Sequence, residues 1–327
     1  MTLIILIIVI ALIFDFLNGF HDSANSIATV VSTRVLKPFQ AVLMAAVANF
    51  SAFFFFSTAV AATVGKGIIK PESVSSEIIL AGLIGACVWN IITWYFGLPI
   101  SSSHALIGGL IGATLARVGI EGLIFAGINK VLIFIVLAPF IGLLGALIFT
   151  TVVTFFVRNG SRNVLSRVFS KLQLASSFWY SMGHGANDAQ KTMGVITLTL
   201  YSNHLLGPTF HVPLWVMLAS YTMMGLGTYF GGWRIVKTMG TKIIHLRPFQ
   251  GFCAETAGAV TLFFTSHFGI PVSTTHVITG SIMGVGTAKN YKQVKWIIGR
   301  KIFLAWLLTI PISMFFGIVF SLLLKVW

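Results

Sequence analysis

Three consecutive hydroxyls, Ser101-Ser102-Ser103, follow Pro99 and precede His104, and the arrangement returns as Ser273-Thr274-Thr275 between Pro271 and His276, an offset of 273 − 101 = 172 residues. The wider stretch repeats too, Phe96 to His104 matching Phe268 to His276. Gly-x-Pro stops a helix, so each hydroxyl triplet opens a new one, with Ser101 and Ser273 as N-caps. The first N–H groups of such a helix have no partner, and the helix dipole presents its positive end there. Free N–H groups beside three hydroxyls bind an anion. Two such ends predict one anion held from two sides.

A second duplicated cluster adds charge to this picture. Asn18-Gly19-Phe20-His21-Asp22-Ser23-Ala24-Asn25 is echoed by His184-Gly185-Ala186-Asn187-Asp188-Ala189-Gln190-Lys191, with Asp188 standing where Asp22 stands. Of seven acids, Glu72, Glu77 and Glu121 fall in loops, while Asp15, Asp22, Asp188 and Glu255 interrupt long apolar runs. A carboxylate at the centre of a bilayer costs at least ~2.5 kcal/mol unless something compensates it. Asp22 and Asp188 would repel the anion that the hydroxyls attract, and a cation bound there, H⁺, Na⁺ or a divalent metal, removes the conflict. Lys191 is a fixed cation that its counterpart Asn25 cannot replace. His21 is the candidate titrating group. His104 and His276 either hydrogen-bond within their own helices or belong to the site. Glu255 has no acidic counterpart, and its partner is either Lys191 or a transported cation.

The elements that must hold these residues are membrane helices. Of 327 residues 57% are hydrophobic and only 9% charged, a profile that excludes a soluble globular domain. Apolar runs recur along the chain, so helices rather than a barrel satisfy the backbone in lipid. The net charge of +14 resides mainly in loops, where it sets orientation in the membrane and calls for no nucleic acid. Cys87 and Cys253 lack metal-ligand or disulfide spacing.

The chain divides into two halves: residues 1–157, a cytoplasmic linker at 158–171, and residues 172–327. Each half reads as a first helix broken at its polar cluster, a second span (40–64 and 212–232), a re-entrant helical hairpin (78–116 and 248–286) and a last crossing that contains Pro139 or Pro311. Equivalent loops carry opposite charge biases. Arg34 and Lys37 face a neutral 201–211 loop, whereas the mixed 66–77 loop faces Arg234, Lys237, Lys242 and Arg247. The positive-inside rule therefore predicts inverted-topology repeats with both termini outside and one hairpin entering from each face. That is the architecture of a secondary transporter with alternating access.

With the two hydroxyl tips and the two Asp motifs in this order, the chain resembles the PiT family of inorganic phosphate transporters over essentially its whole length. The resemblance implies phosphate symport, with Ser101, Ser102, Ser103, Ser273, Thr274, Thr275, Asn25, Asn187, Gln190 and Lys191 around phosphate, and Asp22, Asp188, His21 and Glu255 coupling the cation. Pro99, His104, Pro271 and His276 would shape the tips. It also implies a multi-pass protein of the cell inner (plasma) membrane that acts as a homodimer among lipid. No cofactor is implied beyond the co-transported ion. His21 and Lys191 depart from the Asn-Asp-x-x-Asn pattern of sodium-coupled members and resemble the bacterial low-affinity branch, which is proton-coupled and carries phosphate largely as a neutral metal-phosphate complex. The alternatives are Na⁺-coupled phosphate symport, a sulfate permease, a channel, or a membrane enzyme acting on lipid phosphate. Ser103 and His104 are adjacent on a helix and do not face each other, which makes them a poor nucleophile and base.

Overall fold

The structure is a computed structural model that describes residues 1–325, and among them every regular element is a helix. The first half comprises α1 (Thr2–Ser32), α2 (Pro38–Ser51), α3 (Ala59–Gly67), α4 (Ser76–Phe96), α5 (Ser102–Arg117) and α6 (Phe125–Val157). The second comprises α7 (Arg162–Ser202), α8 (Leu214–Phe230), α9 (Trp233–Lys237), α10 (Pro248–His267), α11 (Thr274–Lys289) and α12 (Trp296–Leu323). Helices α1, α4, α6 and α12 are each long and apolar enough to cross a membrane, and α2 with α3, bent by 84° at the break between them, reaches that length and hydropathy only as a pair. Exposed Leu, Ile, Val and Phe side chains stud α6 and α12, as they would against lipid rather than water.

The first helices are not broken. Both α1 and α7 run straight through their polar clusters, which corrects the expectation of half-helices beginning at Asp22 and Asp188. The polar side chains there bond to neighbouring elements and leave the main-chain ladder intact. The breaks fall in the second span of each half, between α2 and α3 and again at Gly231-Gly232 between α8 and α9. Each break exposes N–H groups, and a first-helix side chain of the opposite half accepts from them. Gln190 Oε1 takes Val60 N at 2.9 Å, and Ser23 Oγ takes Gly232 N at 2.6 Å. Because α7 begins at Arg162, most of the expected linker is helix, and only residues 158–161 separate α6 from α7.

The hairpins form as their sequences dictate. Gly97 (φ +64°) and Gly269 (φ +62°) turn the chain after α4 and α10 in a conformation other residues rarely adopt. Ser101 Oγ and Ser273 Oγ then accept from His104 N and His276 N, each at 3.3 Å, as N-caps of α5 and α11. The last crossing of each half packs on the other half's hairpin, α12 on α5 and α6 on α11. Small residues let these backbones approach closely. A Cβ at Gly280 would lie 2.1 Å from the Pro139 carbonyl oxygen. α1 packs on α8 while α7 packs on α2 and α3, so both first helices and both hairpin tips converge at one buried centre.

Candidate substrate site

At that centre Lys191 of α7 donates to Asp188 one turn earlier, to Ser103 Oγ on the first tip at 2.6 Å, and to the Val272 carbonyl on the second at 2.7 Å. It is 1% exposed, so it does not snorkel to the surface. Asp188 also accepts from Thr274 Oγ1 at 2.8 Å and lies 3.2 Å from His184 Nε2. On the other side, Asn25 Nδ2 donates to Thr274 Oγ1 at 3.2 Å and Thr275 Oγ1 at 2.9 Å, and Thr275 Oγ1 lies 3.5 Å from Asp22 Oδ2. His21 Nδ1 sits 2.8 Å from Asp22 Oδ1, with Nε2 3.2 Å from Thr93 Oγ1. The Ser102 hydroxyl is buried without a partner. Asn25, Ser103, Thr274, Thr275, Asp22, Asp188 and Lys191 thus share one cluster, and the most exposed of them, Ser103, is only 5% accessible.

Three expected site residues face elsewhere. Asn187 clasps the backbone of the second tip, donating to Ser266 Oγ and the Ile270 carbonyl and accepting from Val272 N. Gln190 turns to the N-terminus of α3 rather than to the tips. Glu255 of α10 does not meet Lys191, whose three ammonium hydrogens are already committed. Thr29 Oγ1 and Ser176 Oγ, each at 2.5 Å, and Gln173 Nε2 at 3.2 Å hold its carboxylate.

His104 and His276 stand ring to ring, 4.9 Å between centroids, where α5 and α11 meet. Trp306 of α12 stacks on His276 at 3.8 Å and donates Nε1 to the Pro99 carbonyl at 2.9 Å. Pro271, like Pro99, is buried at its tip. Sequence reasoning missed Thr93, Trp306 and Tyr180, whose hydroxyl donates to the Thr274 carbonyl at 3.0 Å. None lies in a duplicated motif, so no pattern marked them. His184 was visible in the second motif, and its ring faces Asp188 and Asn49.

Hydroxyls, an amide and an ammonium converging between two helix N-termini can hold a tetrahedral oxyanion from several sides. Asp22, His184 and Asp188 present ligand atoms all within 4.8 Å of one another, an arrangement able to hold a cation beside it. The family model described as "Phosphate transporter family" matches residues 18–317. The chain belongs to the phosphate transporter family. This is a family of transporters, not of enzymes, and its several apolar helices make this member a multi-pass membrane protein. It is 52% identical over 309 residues to a "Probable low-affinity inorganic phosphate transporter" of Rhizobium meliloti (strain 1021), covering 94% of this chain and 92% of that one. A Bacillus subtilis (strain 168) protein of the same description is 43% identical over 319 residues, 97% of this chain and 96% of the relative. Among solved structures, "The sodium-dependent phosphate transporter" superposes with a TM-score of 0.89 at 27% identity, covering 100% of both chains.

Proposed function

We propose that this family member imports inorganic phosphate by symport with H⁺ through alternating access. The observation that carries the reading is the meeting of both hydroxyl tips with Asp22, Asp188 and Lys191 in one buried cluster. With both acids ionised these three side chains sum to −1 − 1 + 1 = −1. A phosphate entering alone would face repulsion of about 4 kcal/mol for one uncompensated charge at 4 Å and an effective dielectric near 20. A cation bound at the same time offsets that cost, and the two solutes travel together. Phosphate takes the place of the protein's own contacts: Lys191 exchanges Ser103 and Val272 for a phosphate oxygen, while Ser102, Thr274, Thr275 and Asn25 donate to the others. Asp22 with His21, and Asp188 with His184, receive the coupling cation. Asn187 keeps the second tip in place. Glu255, held apart by Thr29, Gln173 and Ser176, binds a cation on its way through. A divalent metal travelling with phosphate is cargo, and no resident cofactor is required.

The two halves are inverted on this reading. Three crossings, α1, α2 with α3, and α6, form an odd number, so the second half starts from the opposite face. Both termini then lie outside the plasma membrane, residues 158–161 lie inside, and the protein works as a homodimer. Na⁺ coupling is the second reading, favoured by the likeness to a solved transporter described as sodium-dependent. Uptake of labelled phosphate into proteoliposomes separates the two. An imposed inward proton gradient drives accumulation under the first reading, whereas accumulation that follows only a sodium gradient refutes it.

A further inference from the structure

One buried acid has no part in the cluster. Asp15 of α1 is completely inaccessible, and neither carboxylate oxygen has a hydrogen-bond partner. Around it the same is true of several polar groups on three helices. Asn18, on the same face of α1 one turn on, has both amide atoms unpartnered. Thr192 of α7 and Ser220 of α8 turn their hydroxyls to the carboxylate, fully buried and too far for a close hydrogen bond to it or to any other group. The Gln190 Nε2 is unpartnered too. The ionisable groups facing Asp15 are Asp188 of α7 and Tyr221 of α8. Neither supplies positive charge, and Lys191 has spent its three hydrogens on Asp188, Ser103 and Val272. Buried polar atoms are ordinarily bonded, and a lone buried carboxylate is among the costliest groups to leave bare. Three oxygen-bearing side chains around one uncompensated carboxylate make a receptor for a single positive charge on oxygen ligands.

We propose that Asp15, with Asn18, Thr192 and Ser220, is a second cation site, taking one monovalent cation, H⁺ or Na⁺, apart from the Asp22 and Asp188 cluster. The proposal rests on the reading of the chain as a cation-coupled phosphate symporter. Asp15 stands seven positions before Asp22, about 10 Å along the helix axis, while the α1 side chains that bond to a hairpin tip are Asp22 and Asn25. It acts through charge, since Asp188 lies within electrostatic reach, and through position, because Thr192 adjoins Lys191. An empty site leaves an extra negative charge behind the anion, and a filled one removes it.

Asp15→Asn keeps the shape and discards the charge. In proteoliposomes, phosphate–phosphate exchange at equal concentrations requires no net cation movement, whereas accumulation does. Wild type and variant are compared in exchange, then under an imposed proton gradient, then under a sodium gradient. The expected result is retained exchange with loss of accumulation under whichever gradient drives the wild type, the two gradient arms telling H⁺ from Na⁺. Accumulation equal to wild type overturns the proposal, as does loss of exchange in a monodisperse, folded variant. Wild type driven by sodium alone would overturn proton coupling and leave Asp15 testable in the sodium arm. If Asp15→Asn does not fold, the Thr192→Ala/Ser220→Ala variant is read instead. There the site predicts a higher concentration of driving cation for half-maximal uptake with exchange unchanged, and an unshifted value overturns it.

Discussion

Lys191 Nζ lies 2.6 Å from Ser103 Oγ, joining a helix of the second half to the hairpin tip of the first. The same ammonium reaches the Val272 carbonyl of the second tip, so one charge ties the two tips together. Its removal strands Asp188, 1% exposed, as an unpaired buried charge. Breaking a buried ion pair costs about 3–5 kcal/mol. Lys191→Gln should therefore lower the thermal midpoint in detergent by several degrees and abolish uptake. Adding Asp188→Asn should recover the midpoint without restoring uptake, which thermal scanning with a transport assay would check.

The two carboxylates carry the coupling in this account. Asp22→Asn and Asp188→Asn should each abolish net phosphate uptake while the protein still elutes as a monodisperse species. Wild-type uptake in either variant would remove the electrostatic argument for symport.

Asn187 holds three backbone and side-chain groups of the second tip without touching the first. Each buried partner left unsatisfied costs about 1–3 kcal/mol. Asn187→Ala should raise the phosphate concentration for half-maximal uptake more than it lowers the maximal rate. The reverse pattern would indicate that the tip is not disturbed.

Gly280 is where α11 meets α6, and a Cβ there would sit 2.1 Å from the Pro139 carbonyl oxygen, a backbone atom that cannot swing aside. Gly280→Val should force the two helices apart and give mostly aggregated protein by size exclusion. Gly119 has open space at its Cβ position, although its positive φ of +86° makes any side chain there mildly strained. Gly119→Ala should accordingly give folded protein, losing no more than a few degrees of thermal midpoint.

The tips were legible because a Gly-x-Pro stop followed by a capping Ser is a local instruction, written twice. Ser101 and Ser273 cap as their positions require. Lys191 was legible as a charge too deep to be idle, although its bonds to Ser103 and Val272 join residues far apart in sequence. The continuity of α1 and α7 was not legible. A run such as Asn18 to Asn25 looks like a break until Thr93 and the second tip are present to bond its side chains. The actual break after α2 carries no Gly or Pro, because Gln190 from another helix caps it. The partners that hold Glu255 were hidden for a related reason. Thr29, Gln173 and Ser176 come from two other helices, and no spacing within α10 announces them.

A structure of the purified protein with phosphate bound, determined by electron cryo-microscopy, tests the central claim most directly. The account predicts one phosphate between the tips, within hydrogen-bond reach of Ser103 on one side and Thr275 on the other, with Lys191 turned towards it. Phosphate seated instead in the groove of about 920 Å³ lined by Arg158, Arg162 and Arg247, with the tips unoccupied, would contradict it.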